Sequence, residues 1–166
     1  IVIGRFSAPP QVFSDNDPAV VAIVPYKFIG ANITLKPGKY AVYLGLSVYL
    51  PVSYPLGYSY YLPVFLSSSN TSVNTAGFNY ESGAGNAAAF GGRMVKNRGN
   101  TSLNMIQGSI IVNVTNPAGI TLYTFLKNIP LYNDVTLTAT QPTPPLTSYR
   151  FDAGNWENFF YALPIN

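Results

Sequence analysis

Six carboxylates supply all the acidic side chains of this chain: Asp15, Asp17, Glu81, Asp134, Asp152 and Glu157. Glycoside hydrolysis needs two of them facing each other across a cleft. Their spacing singles out no pair, and they read as solvated loop residues. Asp15-Asn16-Asp17 resembles the opening of an oxygen-ligand calcium loop, but the glycine at the sixth position and the bidentate acid at the twelfth are missing. Gly83-Ala84-Gly85-Asn86-Ala87-Ala88 matches a dinucleotide fingerprint, which works only where a strand turns into a helix. Here Gly91-Gly92 comes within a few residues and no amphipathic helix is in sight, so the segment reads as a loop. The chain has no cysteine and no histidine. Disulfides, thiolate nucleophiles, thiolate or imidazole zinc sites and histidine acid–base catalysis are thereby excluded. The expectation is a protein that is not an enzyme and carries no catalytic, cofactor-binding or metal site.

The remaining chemistry is that of recognition and modification. Arg93, Lys96 and Arg98 form the one basic cluster, without neighbouring aromatics to stack on bases, and a net charge of +3 is too small and scattered to argue for nucleic acid. Four sequons occur, at Asn32, Asn70, Asn100 and Asn113. Asn70 and Asn100 fall in expected loops, Asn32 and Asn113 on the polar sides of expected strands, so each has room for an N-glycan. Five lysines (Lys27, Lys36, Lys39, Lys96 and Lys127) lie in strands or turns, where a Lys–Asn isopeptide bond would need a lysine, an asparagine and a carboxylate together in an apolar setting. The 13 tyrosines are candidates for a sugar-stacking platform, but their alternating positions near strand ends suit the packing of core and rim.

Those residues must be held by strands. Alternation with period 2 runs through the chain, and helical periodicity is nearly absent. Residues 39–50 place Tyr40, Val42, Leu44, Leu46, Val48 and Leu50 on one face. Residues 58–67 repeat the pattern with Tyr60, Leu62, Val64 and Leu66, and the central Pro63 marks an edge or a bulge. Residues 103–115 point Ile106, Ile110, Val112 and Val114 inward, and residues 135–140 alternate three apolar residues with threonines. Further strands are expected at 19–27, 29–35, 120–126, 149–152 and 158–163, with 155–162 alternatively a short helix. Turn signals separate them at Lys36-Pro37-Gly38, 51–57, Asn116-Pro117-Ala118-Gly119 and 141–146. Nine or so short strands predict an all-β sandwich. Residues 67–92, rich in small side chains, read as a surface excursion. At 166 residues one core suffices.

The beginning of the chain stands apart. Ile1, Val2, Ile3, Gly4, Arg5 and Phe6 are strand-like and mostly apolar, and Ser7-Ala8-Pro9-Pro10 separates them from the remaining residues, because proline cannot continue a ladder. The division expected is a tail with its proline linker over 1–11 and a sandwich head over 12–166. The opening isoleucine raises the expectation that an export signal has been removed. Charged residues make up only 9%, against roughly 25% in an average soluble domain. Glycans or burial in an assembly would then replace ionic solvation. The longest apolar run, at 19–24, is far shorter than the ~20 residues of a membrane-spanning helix.

Together the apolar tail, the β body rich in tyrosine, asparagine and proline, the scarcity of charge, the lack of cysteine and the sequons resemble the archaeal thread pilins. That resemblance implies an immunoglobulin-like, pilin-like β-sandwich that is incomplete and is completed by a donor strand from a neighbouring subunit. It also implies a glycosylated, cell-surface filament: an extracellular homopolymer of identical subunits serving adhesion or surface contact. The donor segment would correspond to residues 1–6, extending as far as Val12. Either Ile1 and Ile3 or Val2 and Phe6 would be the anchors, and Arg5 departs from a purely apolar donor. Competing readings from the same composition are an archaeal virus capsid or turret protein of jelly-roll type and a secreted carbohydrate-binding module.

Overall fold

A computed structural model describes residues 1–6, 11–13, 26–50, 58–61, 64–81, 90, 93–95, 102–127, 131–133, 139–140, 149–151 and 157–166. Every regular element among them is a strand. In chain order these are β1 (Val2–Ile3), β2 (Arg5–Phe6), β3 (Gln11–Phe13), β4 (Tyr26–Leu35), β5 (Gly38–Leu50), β6 (Tyr58–Tyr61), β7 (Val64–Ser67), β8 (Phe78–Tyr80), β9 (Arg93–Val95), β10 (Ser102–Val114), β11 (Ile120–Lys127), β12 (Leu131–Asn133), β13 (Ala139–Thr140), β14 (Tyr149–Phe151) and β15 (Phe159–Pro164). The larger sheet runs β1-β15-β5-β10-β8, with β14 pairing both β5 and β3. A second sheet runs β2-β4-β11-β7, and a third, β13-β12-β6-β9. All pairings are antiparallel, and the first two sheets share one core in the manner of a β-sandwich.

The alternation read from the sequence sets this core. Strand β5 buries Tyr40, Val42, Leu44, Leu46 and Val48, and β10 buries Ile106, Ile110, Val112 and Val114. The two long strands pair in unbroken register from Gly38↔Val114 to Leu50↔Ser102. Ile29, Ala31, Ile33 and Leu35 of β4 join the same core from the second sheet, with Leu122 of β11. Residues 120–126 and 158–163 form strands close to where they were expected, the latter starting at Phe159 with no helix.

Three expectations are revised. Residues 58–67 form two strands in different sheets, β6 and β7, where one was expected; Leu62 and Pro63 lie outside the described residues. Residues 67–92 are more than a surface excursion: they supply β8, and both Phe78 and Phe90 are buried. A strand starting at Ile29 becomes the longer β4, which begins at Tyr26 and kinks at Gly30, where φ is 90°. That kink shifts the β4–β11 register between Tyr123 and Phe125. The gap it opens is filled by the Thr124 hydroxyl, which accepts from the Ala31 N–H (3.2 Å) and donates to the Ala31 carbonyl (2.8 Å). Residues 19–25, 83–88, 96–100 and 134–138, with Asp15 and Asp17, lie outside the described residues.

Candidate functional site: the flank closed by the N-terminal segment

A sandwich has two open sides, and here they are closed by different means. On one side β7 ends the second sheet and β8 ends the larger one. The outward backbone groups of β7 are met one after another. Val64 exchanges two hydrogen bonds with Phe90, at 2.8 and 2.9 Å. Leu66 N–H donates to the Tyr80 hydroxyl (3.0 Å), which in turn donates to the Leu66 carbonyl (2.8 Å). Ser68 N–H donates to the Asn74 carbonyl at 2.8 Å. Tyr80 belongs to β8, so one phenol ties the edge of one sheet to the edge of the other. This edge is sealed from within the body, the condition that keeps a strand edge from recruiting further strands.

The opposite side is closed by the first six residues. Val2 and Ile3 pair with Ala162 and Tyr161 of β15, then Arg5 and Phe6 pair with Asn32 and Ala31 of β4. The segment thus leaves the larger sheet and joins the second one across Gly4, whose N–H donates to the Phe160 carbonyl at 2.7 Å. Alternation decides which side chains enter: Val2 and Phe6 pack on the core, while Ile1 and Ile3 remain 81% and 72% exposed. Of the two sets named as anchors, Val2 and Phe6 are the pair that packs on this chain's own core. Arg5 points outward with Ile1 and Ile3, so its charge stays in water.

The fit is a size complementarity. Val2 stands opposite Ala162 and Phe6 opposite Ala31, both fully buried alanines that leave room for a larger neighbour. Between them the sizes invert. Gly4 meets Phe160, and a Cβ added at Gly4 would lie 2.5 Å from the Phe160 ring and 3.0 Å from the Asn32 carbonyl oxygen. The Phe6 and Phe160 rings tilt together at 6.4 Å. Large on small, small on large, large on small reads along six residues as a key and its seat. The expectation of a donor-like tail named the key, but the seat on Ala31, Phe160 and Ala162 carries no local motif.

The sequons distribute around this body. Asn70 is exposed in a serine-rich turn; Asn32 is half-buried on β4 opposite Arg5; Asn113 is half-buried on β10 opposite Lys39 and Asn79; Asn100 lies outside the described residues. Lys39 Nζ meets Glu81 Oε2 at 2.8 Å, with the two side chains 48% and 32% exposed. That places a lysine, an asparagine and a carboxylate in one neighbourhood, but in water and not in the apolar setting an isopeptide bond requires. An ion pair so exposed contributes about 0–1 kcal/mol. Glu81→Gln is therefore expected to lower the thermal midpoint by less than ~3 °C; a larger fall would give this pair a structural role. Tyr43 and Tyr161 stack on one another at 5.0 Å and 15°, and Phe159 lies over Gly45, so these aromatics pack against their own sheet.

No helix among the described residues is long and apolar enough to cross a membrane. Comparison of the chain with protein-family models, with curated proteins and with solved structures finds no match.

Proposed function

We propose that this protein is the structural subunit of an extracellular filament, assembled head to tail by strand exchange at the flank where its N-terminal segment lies. The observation that carries the reading is the asymmetry between the two flanks. One edge is sealed by groups that cannot leave without unfolding the body. The other is sealed by residues 1–6, held through four paired residues and one glycine hydrogen bond. When that segment enters the seat of a neighbour, it recreates every contact it makes at home, so exchange costs little beyond lost chain freedom. Donor and acceptor surfaces differ, which makes the contact heterologous and lets it propagate. With the segment gone, the body is an incomplete pilin-like sandwich with an apolar groove over Phe160.

Scarce charge fits the same picture. A subunit with 9% charged residues is kept in solution by burial in the polymer and by glycans at Asn32, Asn70, Asn100 and Asn113. Such a filament would be exported to the cell surface and act in adhesion. Electron microscopy of the purified chain beside a variant lacking residues 1–6 tests this. Filaments are expected from the intact chain and none from the deletion. Filaments from the deletion, or closed shells from the intact chain, would overturn the reading; closed shells would favour a capsid.

A further inference from the structure

Resting on the glycosylated-filament reading, we infer that an N-glycan on Asn32 pins the N-terminal segment in its seat. Its first sugar lies between Arg5 of the segment and Tyr123 of β11. Asn32-Ile33-Thr34 is a sequon. In the ladders, Arg5 stands directly opposite Asn32 on one side, and Tyr123 directly opposite it on the other. Side chains directly opposite in antiparallel strands share a face, with Cβ atoms about 4.5–5.5 Å apart. Ala31 and Ile33 enter the core, which turns Asn32 outward; Phe6 and Leu122 enter it likewise, which turns Arg5 and Tyr123 outward. The three residues thus form one row on the outer face of the second sheet. Whatever is attached to the Asn32 amide rises between the other two.

The surroundings leave a place for a sugar and supply what it would bind. The next row toward the β4–β5 turn is Thr34 and Thr121, short side chains whose hydroxyls join at 2.9 Å, with Thr34 exposed. They make a low floor beside the tyrosine. Phe28 stands on the far side of Tyr123, and the two rings meet T-shaped at 5.6 Å. That contact fills the space away from the threonines, and Tyr123 stays half-buried. A pyranose presents an apolar C–H face that a tyrosine ring can cover, and hydroxyls that accept hydrogen bonds from a guanidinium. Arg5 is exposed and makes no ion pair among the described residues, so its donors remain for that use. The segment's hold on β4 rests on only two paired residues, Arg5 and Phe6. A sugar fixed covalently to the body and bonded to Arg5 adds a tie beside them. It acts equally in a neighbour's seat, where the acceptor supplies Asn32 and Tyr123 and the donor supplies Arg5.

Peptide mass spectrometry and amide hydrogen exchange test this on protein from a glycosylating host. Asn32 is expected to carry a glycan. Thr34→Ala destroys the sequon and keeps the asparagine, and is expected to speed exchange in residues 1–6 roughly fivefold. The same variant loses the Thr121 hydrogen bond, so it is measured again in chain from a host that adds no sugar, where it should leave exchange almost unchanged. Arg5→Ala leaves the sequon whole and is expected to loosen the segment in the glycosylated protein and not in the bare one. Equal effects in the two hosts, for either variant, would overturn the inference, as would an occupied Asn32 whose loss changes nothing. A bare Asn32 beside glycans at the other sequons would overturn it and leave the filament reading standing. A protein bare at all four would remove the glycans from that reading as well. Filaments missing from a protein with the expected exchange would count against strand exchange alone, because residues 1–6 meet Asn32 in their own seat too.

Discussion

Gly4→Val is expected to release the N-terminal segment, lower the thermal midpoint of the single chain by roughly 5–10 °C and abolish filaments. The glycine is required by space, not by backbone conformation. A Cβ at this position would stand 2.5 Å from Cδ1 and 2.8 Å from Cγ of Phe160, with the Asn32 carbonyl oxygen closing the third side at 3.0 Å. Phe160 is buried in the core and cannot step aside. The segment must lift instead, and it takes Val2 and Phe6 with it. Burying a whole Val or Phe side chain is worth about 1.5–3 kcal/mol; both are half-buried here, so together they contribute about 2–3 kcal/mol. At this chain length that converts to the stated shift. A double-mutant cycle makes the assignment specific. In a Phe160→Ala background the obstacle is gone, and Gly4→Val should cost less than half of what it costs in the natural chain. Equal costs in the two backgrounds, or filaments from Gly4→Val alone, would show that Gly4 and Phe160 are not key and seat.

How much of this was legible in the sequence depends on whether the signal is local. Strands β5, β10 and β11 announce themselves, because each buries one face against the same core and alternation is the direct consequence. Tyr40 to Val48 and Ile106 to Val114 fall where the pattern puts them. The segment 58–67 shows the limit of the signal. Its alternation continues through Pro63 as if in one strand, yet β6 and β7 serve different sheets. Period alone does not say which sheet a face looks into. Phe78 and Phe90 were hidden by their surroundings, since a small-residue stretch has low average apolarity even where a single ring enters the core. The tail was recognisable as a strand held apart, but its break at Gly4 was not. What forces the break is Phe160, more than 150 positions away, and a size complementarity built from Ala31, Phe160 and Ala162 exists only once the fold brings them together.

The sealed flank carries the second large effect. Tyr80→Phe is expected to lower the urea midpoint by about 1 M with an unchanged denaturant slope, and to make the protein prone to disordered, thioflavin-positive association. The ring itself stays, still packed edge-on against Phe78 at 5.2 Å. Only the hydroxyl is lost, and that hydroxyl serves both outward backbone groups of Leu66. Leu66 is 1% exposed, so water reaches those groups poorly. Leaving buried donors and acceptors without partners costs about 1–3 kcal/mol each; allowing for partial hydration at an edge, ~2 kcal/mol is lost in all. The consequence for assembly exceeds the consequence for stability. A body with one exchangeable flank grows in one dimension. A body whose second edge is also open accepts strands on both sides, and its contacts then branch instead of propagating head to tail. In the proposed filament, growth with a single direction would thus depend on Tyr80 as much as on Gly4, the hydroxyl denying one edge while the glycine lets the other be offered. Regular filaments and an unmoved urea midpoint from Tyr80→Phe would remove the hydroxyl from that role and leave the Val64–Phe90 pairing to guard the edge alone.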